Sequence, residues 1–321
     1  TSFIASFYKP EWSVGYILVA GIVQNVFVLL LLRKEISALR FSFDFDLWKQ
    51  MMIYAVPLIL VGLGGMVNET LDRIMLGWWA PGGSPDANKA IVGIYSACYK
   101  LSILITISVQ AFRMGAEPFF FKQADTDNAQ KTYARVMKFF VITLCIMFLM
   151  VVLYLDIWKE FIRNPAMYVG LKVVPILLLA NIFLGIYYNL SIWYKLSGQT
   201  KFGAYIAIGG AAVTIVINLI FIPIYGYWAS AWATLVVYGA QMVASYLLGQ
   251  KHYPIKYNLR KFGLYFGLAL AIFLITIVFN VDENEFTWRK FVFHNLLIAF
   301  YVFVVWTMEK PANGKKLTFK R

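Results

Sequence analysis

Charged residues stand close together inside a stretch that is otherwise apolar enough to cross a membrane. Glu69, Asp72 and Arg73 lie within the sequence GGMVNETLDRIMLGWW, residues 64–79. At about 100° per residue they share one helix face, and Glu69 and Arg73 have the four-residue spacing at which side chains pair. Ionisable side chains inside a membrane are costly and mark functional sites. The alternative is structural: the end of a long helix reaches the headgroups and the ion pair stabilises the fold.

The following apolar stretch carries polar residues at helical spacing along its length. This polar stripe falls within about 80° on a helix and comprises Tyr95, Tyr99, Ser102, Thr106, Gln110, Arg113 and Glu117. Because lipid cannot face it, the stripe either packs against protein or lines a watery cavity through which something hydrophilic passes. Lys100 lies about 120° from the centre of the stripe. It either borders that cavity or pairs with Asp72 or Glu69.

Motifs of catalysis and metal binding are missing from the sequence. GLGG, residues 62–65, lacks the Lys-Ser/Thr of a phosphate loop. His252 and His294 lie far apart, and Cys98 and Cys145 have neither CxxC nor metal-ligand spacing. No nucleophile–base constellation is present. The sequence therefore predicts neither an enzyme nor a cofactor or metal site.

Composition predicts a membrane protein. Of the 321 residues, 61% are hydrophobic and only 14% are charged, whereas soluble chains carry about 25% charged residues. The net charge is +13. The basic residues are spread over short gaps between apolar runs and form no single patch, which excludes a nucleic-acid-binding surface.

Nine segments are long and apolar enough to span a bilayer, whose core needs about 20 apolar residues in a helix. The sequence thus predicts an all-α polytopic membrane protein without a soluble domain. The segments are Ser13–Arg33, Leu47–Trp79, Ile91–Lys122, Tyr133–Leu155, Ala166–Leu196, Phe202–Ile222, Tyr227–Gln250, Leu259–Asn280 and Thr287–Met308.

Basic residues predict the orientation of these segments. Most Lys and Arg residues lie in one set of alternate gaps, which the positive-inside rule assigns to the cytoplasm. The N-terminus of the chain is then outside and the C-terminus is cytoplasmic, which agrees with nine spans. The first residue is Thr1 rather than Met, so we expect that a substantial N-terminal piece is missing.

Three stretches resemble bacterial polysaccharide-export flippases of the multidrug/oligosaccharidyl-lipid/polysaccharide exporter superfamily. The sequence LDRIMLGWW…AIVGIYSACYKLS, residues 71–102, resembles the seventh and eighth helices of these proteins. The sequence AFRMGAEPFFFKQA, residues 111–124, resembles the inner end of that eighth helix. Residues 200–259 resemble the eleventh and twelfth helices.

The resemblance implies an architecture of fourteen helices: two six-helix lobes around a central cavity, followed by two additional helices. Nine spans with an outside N-terminus match helices six to fourteen. Residues 1–46 would be the last helix of the first lobe and an inner loop. Residues 47–250 would be the second lobe, and residues 251–321 the additional pair and a basic tail.

The resemblance also implies a function. Such proteins flip an oligosaccharide linked to an isoprenoid pyrophosphate from the inner to the outer leaflet of the cytoplasmic membrane, by alternating access, for O-antigen, capsule or exopolysaccharide assembly. The implied partners are this glycan, membrane lipids, polysaccharide polymerase and glycosyltransferases. Arg73, Lys100 and Arg113 are the candidates for the anionic group. The remaining candidate substrate-binding residues are Glu69, Asp72, Tyr99, Ser102, Thr106 and Gln110.

Three other functions compete with this interpretation. A proton- or sodium-coupled multidrug antiporter of the same superfamily would use acidic residues such as Glu69 and Asp72. A membrane-embedded glycan polymerase would need a large outer loop with catalytic residues, and the sequence contains none. A scaffold that transports nothing would need no aligned polar stripe.

Overall fold

The computed structural model describes residues 12, 15–38, 43–278 and 288–310. The secondary structure of these residues is helical and contains no strand. The chain forms two compact units, Thr1–Met51 and Met52–Arg321. The sequence-based division at residues 46 and 250 stays a prediction.

The described residues contain twelve α-helices and two 3₁₀ segments, Lys159–Phe161 and Pro165–Val173. The α-helices are α1 (Gly15–Leu31), α2 (Arg33–Ser37), α3 (Phe45–Trp79), α4 (Pro85–Gln123), α5 (Ala129–Val152), α6 (Leu155–Trp158), α7 (Val174–Leu190), α8 (Ile192–Leu196), α9 (Thr200–Tyr225), α10 (Tyr227–His252), α11 (Leu259–Val278) and α12 (Trp288–Glu309).

Eight helical segments within the described ranges are long and apolar enough to cross a membrane, and each coincides with a predicted segment. The multi-pass membrane architecture is therefore confirmed.

The predicted segment Ser13–Arg33 contains α1, an apolar helix of 17 residues, which is about 26 Å long at 1.5 Å per residue. The predicted segment Ala166–Leu196 is not one continuous α-helix. It begins within the 3₁₀ segment Pro165–Val173, Pro175 lacks the N–H that would bond back into that segment, and it breaks again at Ser191.

Local sequence signals set several helix ends. The Ser84 side chain accepts a hydrogen bond from the Ala87 amide and Pro85 occupies the first turn, so α4 begins there. Gly226 separates α9 from α10 with φ of 56° and ψ of −134°, a conformation open to glycine.

Helix α7 lies at the centre of the second unit and packs against α4, α5 and α10. Close approach depends on glycine: a Cβ atom on Gly185 would lie 2.7 Å from Val109 of α4. Helix α10 also packs against α9, where a Cβ atom on Gly210 would lie 2.1 Å from the Gln241 side chain. Small residues at such contacts are typical of helix packing in membranes.

Ion pairs fix both ends of α12. At one end Glu309 contacts Lys138 of α5, and it accepts hydrogen bonds from Lys261 at 2.6 Å and Tyr265 at 2.5 Å. At the other end Lys290 pairs with Asp156 of α6. We call the end of the helices that holds Glu309 the basic end, because most of the described Lys and Arg residues of the second unit lie there.

Candidate functional site

A cavity of about 560 Å³ lies in the second unit, with walls from α3, α4, α7 and α8. This volume is within the range of small-molecule sites, about 300–1,000 Å³. Its lining extends along α3 from Tyr54 to Glu69, a rise of about 22 Å. The lining residues are Tyr54, Leu58, Val61, Gly62, Gly65, Met66, Glu69, Gln110, Arg113, Glu117, Phe121, Tyr188, Ser191, Tyr194 and Lys195.

Three charged side chains meet on the cavity wall near the basic end. One carboxylate oxygen of Glu117, Oε1, accepts hydrogen bonds from Arg113 Nε at 2.9 Å and from Lys195 Nζ at 2.5 Å. Arg113 and Glu117 are four residues apart on α4, so the helix itself brings them together. Lys195 comes from α8. We call this group the charge cluster; it contains two cations and one anion.

The cations of the charge cluster keep hydrogen-bond donors that protein does not use. The Arg113 guanidinium lies over the Tyr188 ring, 4.8 Å from its centroid. Among the described residues, only its Nε donates to a protein acceptor, whereas a guanidinium has five N–H donors. The Lys195 side chain is 10% exposed and that of Arg113 is 39% exposed. A ligand in the cavity can therefore reach the free Arg113 donors.

Backbone contacts hold Lys195 in this position. The Tyr54 hydroxyl donates to the Lys195 carbonyl at 3.3 Å, and Thr200 Oγ1 donates to the Tyr54 carbonyl at 3.1 Å. Tyr54 belongs to α3, so α3 and α8 are joined beside the cluster.

The side chains of Glu69 and Arg73, whose spacing allows a pair, form no salt bridge with each other. Arg73 Nη1 donates to the backbone carbonyl of Glu69 at 3.0 Å, and no carboxylate in the described residues forms a salt bridge with it. The guanidinium instead lies over the Tyr99 ring of α4, 4.3 Å from its centroid. This cation–π contact draws Arg73 toward α4, and the Glu69 carboxylate remains on the cavity wall.

Asp72 and Tyr95 form a buried contact between α3 and α4. The Tyr95 hydroxyl donates to Asp72 Oδ2 at 2.7 Å, and the Arg73 amide donates to Asp72 Oδ1 at 2.7 Å. Asp72 is 1% exposed and Tyr95 is fully buried. Both side chains lie outside the cavity lining.

The polar stripe of α4 divides into two parts. Toward the α4 N-terminus it packs against protein: Ser102 donates to the Tyr99 carbonyl at 2.7 Å, and Thr106 donates to Asn181 Oδ1 of α7 at 3.1 Å. Toward the C-terminus it faces the cavity through Gln110, Arg113 and Glu117. Packing and cavity lining, which the sequence left as alternatives, each describe one half of the stripe.

Lys100 is exposed, lies outside the cavity lining and forms no salt bridge among the described residues. Its pairing with Asp72 or Glu69 is therefore not formed. The Asp72 carboxylate accepts a hydrogen bond from Tyr95, and Glu69 lines the cavity.

Sequence reasoning missed Lys195, Tyr54 and Tyr194 as cavity residues. A signal was present, because Tyr188, Ser191 and Lys195 recur at spacings of three and four, the pattern of one helix face. Within the described ranges, no three His, Cys, Asp or Glu side chains lie close enough to bind a metal ion.

Comparison with known proteins gives a family match and a fold match. Residues 1–124 match the model of a family described as polysaccharide biosynthesis protein. The fold matches the solved structure of the lipid II flippase MurJ in an inward closed conformation, with a TM-score of 0.60 and 14% sequence identity. The chain therefore has the fold of this flippase. The resemblance drawn from the three sequence stretches is confirmed at this level.

The match has a defined extent. It covers 89% of this chain and 60% of the MurJ chain, so this chain spans less than two thirds of that protein. A search of curated proteins gives no match.

Proposed function

We propose that the chain belongs to a transporter that flips an oligosaccharide linked to an isoprenoid pyrophosphate from the inner to the outer leaflet of a bacterial cytoplasmic membrane. The product would supply surface polysaccharide assembly. The observation that carries this proposal is the placement of Arg113 and Lys195 on the wall of a cavity of about 560 Å³ between membrane-spanning helices. The family match of residues 1–124 supports the same function.

The physical basis is the cost of moving a phosphate and a sugar through hydrocarbon. An unpaired polar or charged group loses several kcal/mol or more on leaving water. Arg113 offers a planar fork of donors that suits phosphate oxygens, and Lys195 adds a compact positive charge. The cavity also presents hydroxyl and amide groups from Tyr54, Tyr194 and Gln110. These can exchange hydrogen bonds with sugar hydroxyls.

The proposed direction rests on the positive-inside rule. In the proposed orientation the charge cluster is at the cytoplasmic side, the N-terminus of this chain is outside and the C-terminus is inside. Substrate would enter from the inner leaflet, and rocking of two lobes would expose it outside, as in other two-lobe transporters. Polysaccharide polymerase and glycosyltransferases would act on the product and the precursor.

The proposed substrate contacts differ from those expected from sequence. Arg113, Gln110 and Glu69 are retained, and Lys195 is added, because all four side chains line the cavity. Six other candidates lie outside its lining, and their role in binding substrate stays a prediction: Arg73, Lys100, Asp72, Tyr99, Ser102 and Thr106.

The test is transport by the full protein reconstituted in proteoliposomes that contain an isoprenoid-diphosphate-linked oligosaccharide. A membrane-impermeant lectin reports the glycan that reaches the far leaflet. We expect the double variant Arg113→Ala/Lys195→Ala to lose transport. The matched control, Lys131→Ala/Arg135→Ala, removes the same charge from exposed positions near the basic end and should retain it. Equal transport by both double variants would overturn the proposal.

A second candidate function, a cation-coupled multidrug antiporter, is favoured by Glu69. Its carboxylate faces the cavity and forms no salt bridge within the described residues. A free intramembrane carboxylate suits a cationic drug or a coupling ion. Glu69→Gln should abolish ion-driven drug efflux if this function is correct. Efflux that is absent from the wild type, with glycan transport present, would exclude it.

A further inference from the structure

We propose that Glu117 is an internal counter-ion that competes with the phosphate of the substrate for Arg113 and Lys195. Its carboxylate would hold the two cations while the cavity is empty and would take them back when the glycan leaves. It would therefore set the affinity of the cavity for the anionic group. The proposal rests on the proposed function and adds a residue that limits binding rather than one that promotes it.

The geometry carries this inference. The same oxygen, Glu117 Oε1, accepts from both cations, at 2.9 Å from Arg113 Nε and 2.5 Å from Lys195 Nζ. A phosphate oxygen that bridged these two cations would have to occupy the position that this carboxylate oxygen now holds. The Glu117 side chain is 32% exposed and lines the cavity, so an incoming anion approaches it directly.

Free donors on Arg113 allow an exchange in steps. Its terminal amino groups donate to no protein acceptor among the described residues, so a phosphate can bind there while Glu117 still holds Nε and Lys195. A second phosphate oxygen can then replace the carboxylate at Lys195. Neither cation loses all its anionic partners during this exchange, which avoids the cost of an unpaired charge.

Covalent attachment makes Glu117 an effective competitor. Because Glu117 belongs to the same helix as Arg113, its carboxylate is always present at high effective concentration. It also holds the cluster at one net positive charge instead of two. Both effects weaken the binding of an anion and favour its release. A transporter needs release, since a ligand that binds too tightly is not delivered.

Glu69 provides a matched control. It lines the same cavity but forms no hydrogen bond or salt bridge with Arg113 or Lys195. Glu69→Gln and Glu117→Gln each remove one negative charge from the cavity without changing side-chain size. Competition for the cations predicts an effect specific to Glu117, whereas a change in the general field would appear in both variants.

The experiment measures binding of inorganic pyrophosphate to the detergent-solubilised full protein by titration calorimetry. We expect Glu117→Gln to lower the dissociation constant about tenfold, which is toward the lower end of the range that one charge at contact distance gives between bulk water and a protein surface. Glu69→Gln should lower it by a smaller factor, less than threefold, because it removes a negative charge from the cavity without releasing a donor of Arg113 or Lys195. In proteoliposomes, Glu117→Gln should reach half-maximal transport at lower substrate concentration and have a lower maximal rate.

Weaker pyrophosphate binding by Glu117→Gln would overturn the inference, because it would mean that Glu117 positions the cations. Equal strengthening by both Gln variants would overturn it in favour of a general field effect. Glu117→Asp, which keeps the charge but shortens the reach, should also strengthen binding. It decides the question if the Gln variant does not fold.

The proposed function fails in a different way. Transport by Arg113→Ala/Lys195→Ala at the wild-type rate would reject the proposed function. If the wild type binds pyrophosphate tightly and Glu117→Gln does not bind it more tightly, only the proposed competition between Glu117 and phosphate is rejected.

Discussion

Lys195 and Glu117 are 78 positions apart in the chain, and a hydrogen bond of 2.5 Å joins their side chains. Glu117 lies near the end of the long helix α4, and Lys195 lies in α8, after the break at Ser191. The charge cluster therefore depends on the docking of α7 and α8 against α4. The same docking places Lys195 beside Arg113 on the cavity wall.

The coupling between Lys195 and Glu117 is measurable by a double-mutant cycle. Lys195→Met removes the donor and its positive charge, Glu117→Gln removes the negative charge of the acceptor, and the double variant combines the two changes. For contacting charged side chains we expect a coupling free energy of about 1 kcal/mol. Thermal unfolding of the detergent-solubilised variants measures it. The same cycle with exposed Lys131 in place of Lys195 should give no coupling, and equal values would contradict the cluster.

Neighbouring glycines of α9 should respond oppositely to alanine. A Cβ atom at Gly210 would lie 2.1 Å from the Gln241 side chain, whereas one at Gly209 meets nothing within 4 Å. Gly210→Ala should destabilise the protein by about 1–3 kcal/mol through overpacking. Gly209→Ala should be neutral or stabilising, by up to about 1 kcal/mol, because alanine is the better helix former. Melting temperatures in detergent test this, and a more harmful change at Gly209 would refute the packing of α9 on α10.

Variants of Lys100 and Arg113 test which set of substrate contacts is correct. One set is expected from the sequence, and the other consists of residues that line the cavity. Lys100 is exposed and outside the cavity lining, whereas Arg113 lines it. We expect Arg113→Ala to reduce glycan transport at least tenfold and Lys100→Ala to leave it within twofold of wild type. The proteoliposome assay measures both, with variants compared at equal protein content. Loss of transport in Lys100→Ala would support the sequence-based prediction.

The contact of Arg73 with Tyr99 should depend on the aromatic ring and not on the hydroxyl group. The guanidinium lies 4.3 Å from the ring centroid, so Tyr99→Phe preserves the cation–π contact and Tyr99→Leu removes it. We expect Tyr99→Leu to lose about 1 kcal/mol of stability and Tyr99→Phe to lose less than half of that. Thermal unfolding measures the difference. Equal losses would show that the ring contributes nothing through Arg73.

The hydrogen bonds of Glu309 should anchor α11 and α12 to the rest of the second unit. Glu309 is 17% exposed in its side chain and contacts Lys138, Lys261 and Tyr265. Glu309→Gln leaves two lysines without their anion, so we expect a loss of about 1–3 kcal/mol. Glu160→Gln, at an exposed position, is the control and should change stability by less than about 0.5 kcal/mol. Limited proteolysis should then cut Glu309→Gln first near residues 253–258.

Much of the fold follows from sequence because its cause is local. A bilayer-length apolar segment such as Tyr227–Gln250 must satisfy its own backbone hydrogen bonds and therefore forms a helix. Helical periodicity likewise placed Gln110, Arg113 and Glu117 on one face. Proline is a further local signal, because the helix that contains Pro175 is preceded by a 3₁₀ segment over residues 165–173.

The partners of the polar side chains could not be read from local periodicity. Periodicity states which residues share a face of α4, but the depth and rotation of α3 and α7 against that face decide what each one meets. Thr106 meets Asn181 at 3.1 Å, whereas Gln110, one turn further, meets the cavity. These depths depend on close contacts such as that at Gly64, where an added Cβ would lie 3.0 Å from Ala207.

The sequence by itself determined a multi-pass helical membrane protein with buried polar faces, because hydropathy and helical period are properties of single segments. Only the tertiary structure decided which charges act together. Arg73 turned to the ring of Tyr99 instead of the carboxylate of Glu69, and Lys195 joined Glu117 across 78 positions. Electrostatic and cation–π contacts act over a few ångströms, so helix packing, which brings distant segments within that range, selects among the pairs that spacing allows.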